Sequence, residues 1–408
     1  MTIDLMPTLD HDSVRAADKP AAGGLSAPPR ADRDEALDGI RAIACLLVYS
    51  YHMGSNLSTP PLVVHGITGV HIFFVLSGYL MFGPFAAGLI GARPMPELRR
   101  YAIRRFTRIY PPYLVSLALF TAARYLRDLK PPSAANLAEH ALLIFNYGPR
   151  HHFFSINGVF WSLAIEAQFY VLLPLVAWLA AQLVGRRGPS AAILVVGGFL
   201  AIGLTARGFE HALTAGARMG EPRFRSVFAY LDLFAYGMAV DLARRVASAR
   251  LGRSAFGRWA LIAAGAALFL GANHWAYAQP GLDWQTSADP IFTIGYPPML
   301  CGGVALALLA VVCWPDDGPS LLTWRPLVRV GLISYSFYLY HMGVLFAIGT
   351  ALPRSFLPTS EAGQWLSTLL ILPPTLALSA LMYMLVECPS LRWGARFSQH
   401  HARPPLSS

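Results

Sequence analysis

Residues 66–90 read GITGVHIFFVLSGYLMFGPFAAGLI, an unbroken run without Lys, Arg, Asp or Glu. A helix of about 20 apolar residues crosses a hydrocarbon core, because each residue adds about 1.5 Å and every backbone amide is satisfied internally. The run therefore reads as a membrane span, and it has company. Of the 408 residues, 55% are hydrophobic and only 13% charged, where soluble domains carry about 25% charged. Such a chain lacks the polar residues to coat a soluble particle. Its excess of ten positive charges flanks apolar blocks, which is where a bilayer protein carries them, so no nucleic-acid partner is expected.

Ten apolar blocks follow one another, at 38–54, 66–90, 109–126, 158–184, 190–206, 227–243, 259–275, 291–314, 330–350 and 366–386. They predict an all-α, polytopic transmembrane helix bundle of about ten spans with no internal repeat. Lys and Arg collect on the cytoplasmic side. With the N-terminus cytoplasmic, 23 of the 32 basic residues fall on the inner side and nine, Arg207 among them, on the outer. An even number of spans brings the C-terminus back to the cytoplasm. Residues 1–36 mix Asp, Arg, Pro and Ala without an apolar core, and are expected to be a disordered cytoplasmic tail rather than a signal peptide. The transmembrane domain is expected over 37–390 and a cytoplasmic C-terminal tail over 391–408. Cys45, Cys301, Cys313 and Cys388 have no metal-knuckle or redox spacing. They are expected to be small buried hydrophobes, and no metal site is expected.

The polar residues inside these blocks need a reason, since a charge at the bilayer centre costs at least about 2.5–3.5 kcal/mol. Arg41 and His52 are eleven residues apart on the first block. At about 100° per residue they fall within roughly 20° of one face, about 16 Å apart along the axis. Arg41 then lies at the cytoplasmic boundary and His52 beyond the midplane. Glu166, Asp232 and His341 reach comparable depth on three other spans, so a polar cavity among four helices is expected. His71 is placed nearer the outer surface. Ser77-Gly78 permits close helix approach. Arg100, Arg104 and Arg108 recur every four residues, giving a basic helix face at the cytoplasmic boundary, suited to lipid headgroups or to a cytosolic polyanion. Intramembrane His and Glu also build proton relays, so a transporter or flippase stands as the alternative to an enzyme. The absence of repeats and of paired broken helices speaks against it.

The motifs, taken in order, resemble the acyltransferase-3 family of integral membrane O-acyltransferases. They are Leu37-Asp38-Gly39-Ile40-Arg41 followed by His52, then Phe73-Phe74-Val75-Leu76-Ser77-Gly78-Tyr79, then Arg104-Arg105 with Arg108-Ile109-Tyr110-Pro111. After them come Trp161-Ser162-Leu163 with Glu166, Phe169, Tyr170 and Pro174, then Ile333-Ser334-Tyr335-Ser336-Phe337-Tyr338-Leu339-Tyr340-His341, and finally Glu387-Cys388-Pro389. The resemblance covers roughly residues 36–395. It implies a multi-pass protein of a bacterial inner membrane that takes an acyl group, usually acetyl, from cytosolic acyl-coenzyme A. Family members modify surface glycans, Nod factors and antibiotics. The chain departs from the family at His71, where Asp is frequent, and at Ala167, where a second Glu is common.

Coenzyme A carries three phosphate groups, and arginine offers them bidentate contacts. The resemblance thus implies donor binding by Arg41, Arg104, Arg105 and Arg108. His52 is the candidate catalytic residue, since imidazole titrates near neutrality and serves as a general base, or as a nucleophile that carries the acyl group. Glu166 is the second catalytic candidate, orienting His52 or holding an acceptor hydroxyl. His71, Ser77, Trp161, Tyr338 and His341 are expected to line the substrate site. The expected acceptor is a hydroxyl of a cell-surface glycan or lipid-linked saccharide, with a lipophilic small molecule such as an antibiotic as the alternative.

Overall fold

The computed structural model describes residues 34–54, 68–126, 131–185, 188–214, 223–251, 254–278, 285, 287–314, 321–351 and 360–399. The expected N-terminal tail lies outside them, apart from its last three residues. Among the described residues there are helices and no strand. In chain order the helices are α1 (Glu35–Gly54), α2 (Thr68–Leu89), α3 (Leu98–Tyr125), α4 (Ala134–Ala141), α5 (Phe160–Val184), α6 (Ser190–Leu213) and α7 (Leu231–Leu251). They continue with α8 (Ala255–Tyr277), α9 (Pro290–Cys313), α10 (Arg325–Leu332), α11 (Ser334–Ala351), α12 (Glu361–Met382) and α13 (Cys388–Gln399). Six of these segments are long and apolar enough to cross a membrane: α2, α5, α6, α8, α9 and the run Trp365–Ser398 through α12 and α13. A seventh appears if α10 and α11, bent by 76° at Ile333, count as one. The more highly charged α1, α3 and α7 fall short on composition.

The apolar block 66–90 becomes the centre of the bundle. Nearly every residue of α2 is buried, as expected for a helix that is apolar all round and enclosed by neighbours. Its contact with α7 is close enough to require glycine on both sides. A Cβ on Gly78 would strike the Phe234 carbonyl, and a Cβ on Gly237 would strike the Val75 carbonyl. Small residues that let backbones touch are the usual basis of helix association where lipid removes the hydrophobic drive. The same reciprocal fit joins α8 to α9 through Gly265 and Gly303.

Three elements depart from the sequence reading. Block 330–350 is a broken pair rather than one helix, because α10 wraps the start of α1, with Gly331 seated on the Asp38 carbonyl. Residues 391–399, expected in the C-terminal tail, are the body of α13. A π turn at Tyr383–Glu387 leads into that helix, and Ser390 fastens it by donating to the Thr107 carbonyl. Finally, α6 runs on to Leu213, which takes Arg207 out of the outer loops and into the core. Its guanidinium meets the Asp232 carboxylate at 2.5 Å with both side chains fully buried, and donates to the Ala229 carbonyl. Asp232 is thereby used up within α6 and α7 rather than contributed to a shared cavity. All four cysteines are free thiols, three of them buried and Cys313 half-buried.

Breaking a buried ion pair strands the remaining charge, at about 3–5 kcal/mol, whereas replacing both partners with apolar groups restores most of that loss. Arg207→Met is therefore expected to lower the unfolding midpoint in detergent sharply, and Arg207→Met with Asp232→Leu to recover it. A double variant as unstable as the single one would show that the pair is not the source.

Candidate active site

Five helices, α1, α2, α3, α5 and α11, line a partly open cavity. From α2 come Phe73, Phe74, Ser77 and Leu80, from α3 Arg105, Arg108 and Ile109, from α5 Ser162 and Glu166, and from the start of α11 Ser334, Tyr335 and Tyr338. Arg41 of α1 and Tyr170 of α5 complete the polar lining.

Its cations are held in different ways. Arg41 is paired with Asp38 at 2.8 Å, and that carboxylate is almost fully buried. The Arg105 guanidinium lies 5.9 Å and 5.7 Å from the ring centres of Tyr101 and Tyr170, close enough for cation–π attraction. Neither Arg105 nor Arg108 has an ion-pair partner among the described residues. The carboxylate in the cavity, Glu166, is fixed through one oxygen. Ser77 and Tyr170 both donate their hydroxyls to Oε1. Tyr170 stands four residues after Glu166 and Tyr101 four before Arg105, so each pair shares a helix face. That spacing was the available signal for both tyrosines.

Beyond the Tyr338 wall lies the histidine pair. His341 Nε2 and His52 Nδ1 are 2.9 Å apart, joining α11 to α1. The His341 ring is fully buried, packs against Phe337, and lies 6.0 Å from the Tyr338 ring. Tyr338 is itself held by Ser162 at 2.7 Å and by the Val159 carbonyl at 3.1 Å. Three further bonds pin α11: Tyr335 to the Ile109 carbonyl at 2.8 Å, Ser336 to the Glu387 carboxylate at 2.6 Å, and Asn157 to the Leu339 carbonyl at 3.2 Å.

The structure thus gathers Arg41, Ser77, Arg105, Arg108, Glu166 and Tyr338 at one cavity and sets His52 and His341 beside it. The remaining candidates go elsewhere. Glu166 bonds Ser77 and Tyr170, and His341 rather than Glu166 is the group on His52. Arg104 is exposed on α3, since one residue before Arg105 it is turned about 100° from the cavity face. His71 is buried rather than solvated and meets Tyr296 edge-on at 5.9 Å. Six residues from Ser77, it points about 120° away. Trp161 sits in an aromatic cluster with Phe74, Phe153 and Tyr230, outside the cavity lining.

Comparison with known proteins places this arrangement. The acyltransferase-domain family model matches residues 34–384. The chain belongs to the acyltransferase-3 family. It is 26% identical over 392 residues to the putative peptidoglycan O-acetyltransferase YrhL of Bacillus subtilis, a match covering 88% of this chain and 55% of YrhL. It is 27% identical over 377 residues to the putative membrane-bound transacylase BcsY of Komagataeibacter xylinus, covering 90% of this chain and 85% of BcsY. A shorter match, 31% over 151 residues, covers 34% of this chain and 23% of the peptidoglycan O-acetyltransferase OatA of Listeria monocytogenes. The chain thus spans about half the length of YrhL and about a quarter of OatA. No solved structure matches. The family match takes in every cavity residue named above, and both histidines.

If Ser77 is a true partner of the Glu166 carboxylate, a double-mutant cycle between Ser77→Ala and Glu166→Gln should show coupling of about 1 kcal/mol in unfolding free energy. Additivity within about 0.3 kcal/mol would mean that the hydroxyl and the carboxylate do not act together.

Proposed function

We propose that this chain is a membrane-embedded O-acyltransferase that moves an acetyl group from acetyl-coenzyme A to a hydroxyl of a cell-surface glycan or lipid-linked saccharide. One observation carries the reading: a single cavity holds Arg41, Arg105 and Arg108, and its Tyr338 wall backs onto His341 and His52. The arginines suit the phosphates of coenzyme A, and Arg105 and Arg108 make no ion pair among the described residues. The eleven-residue interval from Arg41 to His52, about 16 Å along α1, is the distance the pantetheine arm would span to reach the imidazole behind Tyr338. The names of YrhL and OatA support a glycan acceptor.

In this reading His52 is the general base. It takes the proton of the acceptor hydroxyl as that oxygen attacks the thioester carbonyl. The C–S bond then breaks, and the departing coenzyme A thiolate receives the proton from the imidazolium. Glu166, steadied by Ser77 and Tyr170, holds the acceptor hydroxyl. In this reading the ten apolar blocks are ten spans, the distribution of Lys and Arg sets both termini and the arginine end of the cavity on the cytoplasmic side, and the family likeness suits the inner membrane of a bacterium.

In membranes given acetyl-labelled acetyl-coenzyme A, His52→Ala is expected to abolish label transfer while protein level and insertion stay normal. Full transfer by that variant would remove His52 from the chemistry. Arg105→Ala and Arg41→Ala are each expected to raise the donor KM about tenfold or more, the loss of one charge-assisted hydrogen bond of about 1.5–3 kcal/mol. An unchanged donor KM in both would overturn the assignment of the cavity to coenzyme A.

A further inference from the structure

The hydrogen bonds around His341 fix where protons sit on both histidines. His341 Nδ1 lies 3.1 Å from the Phe337 carbonyl and 2.9 Å from the Tyr338 carbonyl. A carbonyl only accepts, so Nδ1 of His341 carries the proton and its Nε2 carries the lone pair. That lone pair faces His52 Nδ1 at 2.9 Å. Two lone pairs cannot form a hydrogen bond, so His52 Nδ1 is the donor. The neutral His52 ring must then keep its own lone pair on Nε2.

We infer that His341 is a positioning residue that, together with the Val48 carbonyl one turn back on α1, selects the tautomer of His52, holding the proton on Nδ1 and presenting Nε2 as the nitrogen that takes the acceptor's proton. The inference rests on the reading of His52 as the base. An unconstrained histidine side chain favours the opposite tautomer, with the proton on Nε2, so the selection has to be imposed. The frame that imposes it is rigid. His341 is fully buried, its ring stacks on Phe337 at an interplanar angle of 12°, and Tyr51 meets the His52 ring edge-on at 5.2 Å.

The arrangement also acts during the reaction. When Nε2 of His52 takes the proton, the ring becomes an imidazolium, and its Nδ1–H bond to His341 becomes charge-assisted and stronger. An interaction that strengthens as charge develops lowers the barrier without tightening the ground state. Removing it should therefore act on kcat and leave donor affinity alone. This is the part that Asp or Glu takes in other base–orienter pairs. Here a neutral imidazole takes it, and no carboxylate has to be held deep in the membrane.

The test uses the full chain in its own membranes, with acetyl-labelled acetyl-coenzyme A as the probe. His341→Ala is expected to lower kcat about 100-fold, in the range of a lost general base, with the donor KM unchanged. His341→Gln, whose carboxamide oxygen can still accept from Nδ1–H, is expected to stay within about tenfold of the parent. The decisive step is chemical rescue of tautomer choice. Nδ-methylhistidine, encoded at position 52 in the His341→Ala background, has its lone pair locked on Nε2 and should restore about tenfold or more of the lost kcat. Nε-methylhistidine at the same position should restore nothing. A residue that merely fills space at 341 would give no rescue by either analogue. Failure of the Nδ-methyl rescue in a protein that binds donor normally, or a normal kcat in His341→Ala, would overturn the inference. Should His341→Ala fail to bind donor, His341→Gln decides instead, and a loss there as large as that in His52→Ala would count against tautomer selection. The broader reading fails separately, only if His52→Ala itself retains transfer.

Discussion

Removing a guanidinium from water costs several kcal/mol unless an anion, a ring of carbonyls or another polar partner replaces its hydration shell. That constraint sorts the arginines of this protein. Arg207 is fully buried and answered by Asp232 and the Ala229 carbonyl. Arg245 is bound to Asp241 at 2.6 Å and to the Gly83 carbonyl at 2.9 Å. These hold α6 to α7 and α7 to α2, and their charges are consumed internally. Arg105 and Arg108 differ: they face the cavity with tyrosine rings nearby, and neither makes an ion pair among the described residues. Positive potential in a low-dielectric cleft is focused on whatever enters, which favours anions.

The helices that hold this potential are set by backbone contact more than by side-chain area. Gly78 and Gly237 let α2 and α7 meet at their backbones, which brings the Ser77 hydroxyl into position for the Glu166 carboxylate. On the opposite wall, α11 is fastened at successive turns to α3, to the loop before α5 and to the π turn. A π turn is often found where a helix must present a side chain out of register, and here it turns the buried Glu387 toward Ser336. Held along its first two turns, α11 brings His341 against a histidine 289 positions away in sequence.

Two kinds of polar residue therefore share the apolar blocks, and residue type does not separate them. Asp232 and Glu166 look alike in sequence, as acidic residues inside apolar runs. In space one neutralises an arginine, and the other is held by hydroxyls at the cavity. Trp161 and Tyr338 are likewise both aromatic residues in family motifs, yet one is packed into an aromatic cluster and the other forms cavity wall. The difference lies in which helix stands opposite, and a single sequence does not carry that.

The sequence by itself determined the helical class, the apolar blocks that become helices, and the residues whose presence in such blocks demanded a reason. Hydropathy and helical period are local properties, so the common face of Arg41 and His52, and of Glu166 and Tyr170, could be read directly. The ordered motifs supplied the family as well. Tertiary structure alone decided the partners. It took Arg207 from a loop to the core because α6 continued past the apolar block. It turned His71 and Arg104 away from the cavity because a helix shows a different face at each step of about 100°. It gave His52 a histidine in place of a glutamate, because adjacency between distant helices depends on backbone fit and on the pairing of buried charge across the whole bundle.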